Sequence, residues 1–112
     1  MIRGKFFSLL GLCQKAGKML SGAVQCEDAI RSGKASLVII SREVSKGTME
    51  KFSYLCKKRN TDYILIGTKE ELGGAIGKGK RTILAVTDKA FKELLLNEYQ
   101  EIRHGGDDNG KN

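Results

Sequence analysis

The chain has 112 residues, enough for one domain with one compact core, and 40% of them are apolar. Lys and Arg number 20 against 13 Asp and Glu, a net charge of +7 and a pI near 9.5. This size excludes a second catalytic lobe, and the charge raises a polyanionic partner, nucleic acid first.

Residues 5–16 carry Phe6, Leu9, Leu10, Cys13 and Ala16 at steps of three and four, which predicts a helix with one apolar stripe, ended by Gly17. Ser21 is the expected N-cap of a second helix running to about Ser32 and closed by Gly33. Leu37-Val38-Ile39-Ile40 is short, apolar and rich in β-branched residues, the pattern of a strand covered on both faces. A third helix is expected over 47–58, with Met49, Phe52, Leu55 and Cys56 inward.

Asp62 to Ile66 follows as a second buried strand, ended by Gly67. Thr68 then caps a short helix over 69–76, with Glu70 and Glu71 at the positive end of its dipole. Gly77-Lys78-Gly79-Lys80 is a loop by composition, Arg81 to Val86 a strand, and Asp88 the cap of a last helix carrying Phe91, Leu94, Leu95 and Ile102. Residues 104–112 have nothing to bury and are expected to be a disordered tail behind a single domain, 1–103. Nineteen of the basic and eleven of the acidic residues fall in that domain, so its net charge is +8. Alternating helix and buried strand predicts an α/β fold, a three-layer α/β/α sandwich over a small mixed sheet of about four strands.

Several functions drop out. No apolar run exceeds four residues, as in Leu37 to Ile40 and Tyr63 to Ile66, where a bilayer span needs about 20, so no membrane is implied. The basic start is followed by Gly11, Gln14, Lys15 and Lys18, which break the apolar stretch that a secretory signal needs. Cys13, Cys26 and Cys56 form no CxxC pair and no zinc pattern with the lone His104, so neither a metal nor a cofactor is expected. They read as three buried thiols in a reducing cytoplasm. With His104 in the tail, no His-centred base or nucleophile can be placed, and no catalytic residue is assigned.

Gly74 to Arg81 fits GxxxxGK, but Arg81 stands where Ser or Thr would hold magnesium, and the stretch leaves a helix to enter a strand. A phosphate-cradling loop needs the reverse order. The same glycines let the backbone approach another polyanion, with Lys78, Lys80 and Arg81 supplying charge; a solvated turn is the equal alternative. On the second helix, Ala23, Cys26 and Ile30 share one side, and Val24, Glu27, Asp28 and Arg31 the opposite, polar one, with Gln25 on its flank. Val24 is thus an apolar residue on the polar face beside Gly22, where free N–H groups suit a phosphate; covering a neighbouring loop is the other explanation.

The run Gly17-Lys18, Gly22-Ala23, Ala29-Ile30 with Gly33, Ala35 and Leu37 to Ile40 resembles the kink-turn-binding ribosomal protein superfamily of L7Ae and L30e type. Tyr54-Leu55-Cys56, Tyr63 to Ile66, Lys69, Leu72-Gly73 and Gly77 fall where that family has equivalents. Ala85 to Lys89 with Phe91 is most similar to its small bacterial YlxQ-type members, and the resemblance spans residues 5–96. It implies a sandwich that binds a kink-turn, a sharply bent RNA internal loop with tandem sheared G·A pairs.

In the family a Gly-Ala-Asn-Glu-x-x-Lys stretch opens the second helix and reaches the RNA. Here Gly22 and Ala23 match, while Val24 replaces the Asn, Gln25 the Glu and Asp28 the Lys. Gln25 still donates and accepts hydrogen bonds; Val24 does neither, and Asp28 reverses a charge that should face phosphate. Glu43 matches an acidic position after the Leu37–Ile40 strand, Lys69 a basic one, and Gly77-Lys78-Gly79-Lys80 the loop that closes over a flipped-out base. The resulting expectation is a cytoplasmic, non-enzymatic, monomeric protein, ribosomal or ribosome-associated, with structured RNA and the ribosome as partners. Its RNA site would be Gly22, Ala23, Val24, Gln25 and Asp28, with Lys18, Lys34, Glu43, Lys69 and Gly77 to Lys80 in support. The alternative is a protein-interaction adaptor of the same fold that has lost tight kink-turn binding.

Overall fold

A computed structural model describes residues 2–104, with side chains from residue 4 onward. Helix α1 (Ile2–Lys15) leads to strand β1 (Met19–Ser21), helix α2 (Ala23–Arg31) and strand β2 (Leu37–Ile40). Helix α3 (Lys46–Lys58) and strand β3 (Asp62–Leu65) follow, then helix α4 (Lys69–Ala75), strand β4 (Ile83–Val86) and helix α5 (Lys89–Arg103). The helix starts have plain chemical causes. Ser45 accepts the Thr48 N–H at α3, Thr68 and Glu71 close a capping box at α4, and Asp88 accepts the Phe91 N–H at 2.8 Å at α5.

The four strands form one mixed sheet in the order β1-β4-β2-β3, with β2 and β3 parallel and β4 antiparallel to both neighbours. Strand β2 is wholly buried because both its faces are covered. Leu37 and Ile39 join Phe6, Leu10, Leu72 and Leu95 from α1, α4 and α5. Val38 and Ile40 point the other way, into Ile30, Phe52 and Leu55 of α2 and α3. Three helices on one face and two on the other make the α/β/α sandwich.

Some local expectations change. Residues Met19–Ser21, unassigned in the sequence, are strand β1, paired with β4 from Met19↔Val86 to Ser21↔Leu84. Ser21 is therefore a strand residue, and the N-cap of α2 is Gly22. Strand β4 begins at Ile83 rather than Arg81, because the Arg81 N–H is drawn to the Lys69 carbonyl of α4 at 3.0 Å. The second predicted buried strand is an edge strand: Asp62 is exposed, Tyr63 and Leu65 half-buried and Ile64 buried. Ala23 faces outward, and Ala29 takes the inward place on α2. His104 ends α5 with its N–H on the Gln100 carbonyl, and the rest of the expected tail lies outside the described residues.

All three cysteines are free and buried. Burial raises each thiol, Cys13 and Cys56 to about 11 and Cys26 to about 12, with the neighbouring Cys56 adding to the shift at Cys26. They are packed, protonated thiols. No helix among the described residues is long and apolar enough to cross a membrane.

Candidate nucleic-acid interface

Strand direction decides which loops meet. Since β1 and β2 run one way and β4 the other, Ser21, Ile40 and Ile83 share one end of the sheet. The Gly22 N–H donates to the Ile83 carbonyl at 3.1 Å, and the Ser41 N–H to the Thr82 carbonyl at 2.9 Å. Ser41, the buried polar residue of this end, donates its hydroxyl to Gly67 and accepts the Glu43 N–H at 3.0 Å. Glu43 in turn accepts the Lys69 N–H at 2.9 Å, which ties the β2 exit to the start of α4.

The start of α2 differs from those of α3, α4 and α5. Gly22 has φ 96° and ψ 152°, a conformation essentially limited to glycine, and supplies no side-chain cap. No acidic side chain occupies the first turn of α2. The first-turn N–H groups of Ala23, Val24 and Gln25 thus present a positive dipole end without an internal carboxylate. Val24 stands 76% exposed beside them, and Gln25 and Asp28 are exposed as well.

Across from this turn lies the 77–80 loop. Gly73 lets it pack closely on α4: a Cβ there would collide with the Gly79 carbonyl, and the Lys78 N–H donates to the Gly73 carbonyl at 2.8 Å. Arg81 holds the loop from inside, with Nη1 on the Lys80 and Gly79 carbonyls and Nε 3.3 Å from the Ser21 hydroxyl. Lys78 and Lys80 stay exposed and pair with no carboxylate among the described residues. Between loop and helix is an open groove of about 640 Å³ lined by Gln14, Ser21, Gly22, Gln25, Lys78, Lys80, Arg81 and Thr82, with Met19 and Leu20 at its floor. It contains cations, amides, hydroxyls and no acid.

The structure therefore brings Gly22, Ala23, Val24, Gln25, Glu43, Lys69 and Gly77 to Lys80 to one end of the sheet. Glu43 and Lys69 meet there through a carboxylate and a backbone N–H, a contact that builds the fold. Lys18 lies at the other end, where its carbonyl accepts the Thr87 N–H at 2.9 Å. Lys34 also lies beyond the far end of α2, and shares a shallow groove with Gln25, Asp28 and Ser32 along the β1 edge. Gln14, Ser21 and Thr82 line the main groove although no motif singles them out. Their placement depends on the β1–β4 pairing, which the sequence does not display.

The ribosomal protein L7Ae/L30e/S12e/Gadd45 family matches residues 5–96 of the chain. The chain belongs to that family. It is 34% identical over 92 residues to the RNA-binding protein YlxQ of Bacillus subtilis, covering 82% of this chain and 92% of that one. It is 35% identical over 95 residues to the large ribosomal subunit protein eL30 of Neurospora crassa, covering 81% and 85%. A solved Bacillus halodurans protein of unknown function superposes with a TM-score of 0.84 at 33% identity, over 87% of this chain and 98% of that chain. A Giardia lamblia 15.5 kD RNA-binding protein, at 18% identity, shares the fold with a TM-score of 0.76 over 92% and 88%. The curated relatives are RNA-binding and ribosomal proteins, and the family is not one of enzymes.

Proposed function

We propose that the protein binds RNA without catalysis, as a ribosomal or ribosome-associated factor that recognises a kink-turn-like structured RNA. The observation that carries this reading is the uncapped start of α2 facing Lys78 and Lys80 across an acid-free groove. Free N–H groups and cations there fix phosphates, while Gln25 reads a base edge. Selectivity comes from the shape of the bent RNA, with the loop 77–80 closing over it. The binding unit is residues 1–103, acting as a monomer in the cytoplasm. Membership of a family whose relatives include RNA-binding and ribosomal proteins supports the same conclusion.

Val24 and Asp28 favour a second reading. An apolar side chain 76% exposed at the helix start, with a carboxylate one turn on, suits a protein partner better than phosphate. An adaptor of this fold would use the same end of the sheet for a protein surface. A gel shift with a kink-turn RNA and its G·A-disrupted mutant separates the two. RNA recognition predicts roughly tenfold or tighter binding of the intact kink-turn. Equal and weak binding of both RNAs supports the adaptor.

A further inference from the structure

A second basic surface lies on the outer side of α2 and α3. Arg31, Lys51, Tyr54, Leu55, Lys58 and Arg59 enclose a hollow of about 230 Å³. No carboxylate lines it. Leu55 is buried beneath, while Tyr54 stands 65% exposed with the Lys58 ammonium 5.9 Å from its ring centre. Glu27, beside the hollow, accepts the Arg31 Nε at 3.0 Å and the Lys51 ammonium at 2.8 Å, so one carboxylate orients two cations. These two donors hold the Glu27 carboxyl below its usual range. Lys58 and Arg59 have no carboxylate partner among the described residues.

Helix-end stabilisation accounts for part of this charge, because cations suit the last turn of α3. It accounts as well for Arg31, in the last turn of α2, but not for an exposed tyrosine in their midst, nor for Lys51 at mid-helix. Both helices leave the same end of the sheet, and Glu27–Lys51 and Arg31–Tyr54 mark their parallel course. From Val24 to Arg31 is seven residues, about 10 Å along the axis. A strand of RNA leaving the α2 start therefore reaches the hollow within about three nucleotides, at about 3.4 Å of rise each along one strand.

We propose that this hollow is a second RNA subsite, which holds single-stranded RNA flanking the structured element. Phosphates lie on Lys58, Arg59 and the outer faces of Arg31 and Lys51, and one unpaired base stacks on Tyr54. Base-on-aromatic stacking is tolerant of sequence and adds to a backbone-tracking groove of cations. The proposal rests on the RNA reading above and gives the protein a longer footprint than the sheet end alone.

The test measures binding of a kink-turn RNA with blunt stems and of the same RNA with an eight-nucleotide single-stranded extension on one strand or the other. One of the two extensions is expected to tighten binding by about tenfold. Tyr54→Ala and Lys58→Ala with Arg59→Ala each abolish that gain and leave the blunt RNA unaffected, whereas Tyr54→Phe retains it. The double variant also lowers the salt slope for the extended RNA by about 1.4, at about 0.7 per single-strand phosphate. Equal affinity for blunt and extended RNAs overturns the subsite while leaving the kink-turn reading intact. Binding of the extension with no preference for an intact kink-turn overturns that reading and keeps the subsite. A gain that survives all the variants places the extension elsewhere and refutes the proposal. Circular dichroism confirms that these exposed substitutions leave the fold unchanged.

Discussion

Glu43 accepts the Lys69 backbone N–H at 2.9 Å, so two positions chosen as RNA contacts meet each other at the start of α4. The bond holds the β2 exit against the helix that supports the basic loop. Glu43→Ala removes it and should cost about 0.5–1.5 kcal/mol of stability, since the bond is exposed. Glu43→Gln, which keeps an acceptor oxygen, should recover most of that loss. Urea titration of the three proteins checks this, and equal stability would show that the contact is dispensable.

The close approach of Gly73 to Gly79 gives a second expectation. Gly73→Ala cannot be absorbed by a flexible side chain, because the obstructing atoms are the Gly79 backbone. Stability should fall by about 1–3 kcal/mol, the usual range for overpacking. The loop that carries Lys78 and Lys80 should also shift, so RNA affinity falls even at temperatures where the variant is folded. Thermal melts and a binding titration at low temperature read the two effects separately.

For Lys78 and Lys80 the expected signature is electrostatic. Four to six phosphate contacts give the parent a slope of log affinity against log salt of about −3 to −5. Lys78→Ala with Lys80→Ala should weaken binding of every RNA alike and reduce that slope by about two. Unchanged affinity and slope would return the loop to a solvated turn.

Reinstating the family residues at the α2 start should improve recognition. Val24→Asn restores a base-edge donor and acceptor, worth about 1–3 kcal/mol by analogy with DNA contacts. Asp28→Lys adds a phosphate partner, and its gain should fade as salt rises. With Val24 76% exposed and Asp28 exposed, neither change should destabilise the fold by more than about 0.5 kcal/mol. A kink-turn titration of the double variant that matches the parent contradicts the placement of these residues on RNA.

The thiols set a pH limit. Burial raises Cys26 from 9.0 to about 12 and Cys13 and Cys56 to about 11, so above pH 9 the unfolded chain loses protons that the folded one keeps. Stability from this source is complete below about pH 9 and declines as pH rises through the folded values, by up to about 1.4 kcal/mol per pH unit for each thiol. Denaturation midpoints between pH 8 and 11 should fall less steeply for Cys26→Ala than for the parent.

Much of the fold was legible because its elements are strongly marked: Leu37–Ile40 has one possible role, and Thr68 with Glu71 and Asp88 with Phe91 announce helix starts. Met19–Ser21 escaped because three residues between two glycine-marked turns show no alternation, and only the ladder to β4 makes them a strand. Asp62–Leu65 looked buried because hydrophobicity alone does not distinguish a central strand from an edge strand. For the candidate site, the 77–80 loop can be named from composition and Gly22 to Gln25 through the family resemblance, yet their meeting depends on strand direction. Lys18 and Lys34 show the limit of that reading, since charge and chain position do not tell which end of the sheet a residue occupies.

The central claim is that the uncapped start of α2 and the 77–80 loop face RNA together. Amide spectra of the ¹⁵N-labelled protein, recorded while an intact kink-turn RNA is added, test it most directly. The account predicts the largest shifts at Ala23, Val24, Gln25, Lys78, Gly79 and Lys80, with Lys18 and Thr87 at the opposite end nearly still. Shifts centred on the Lys18 end, or none at the start of α2, would contradict it.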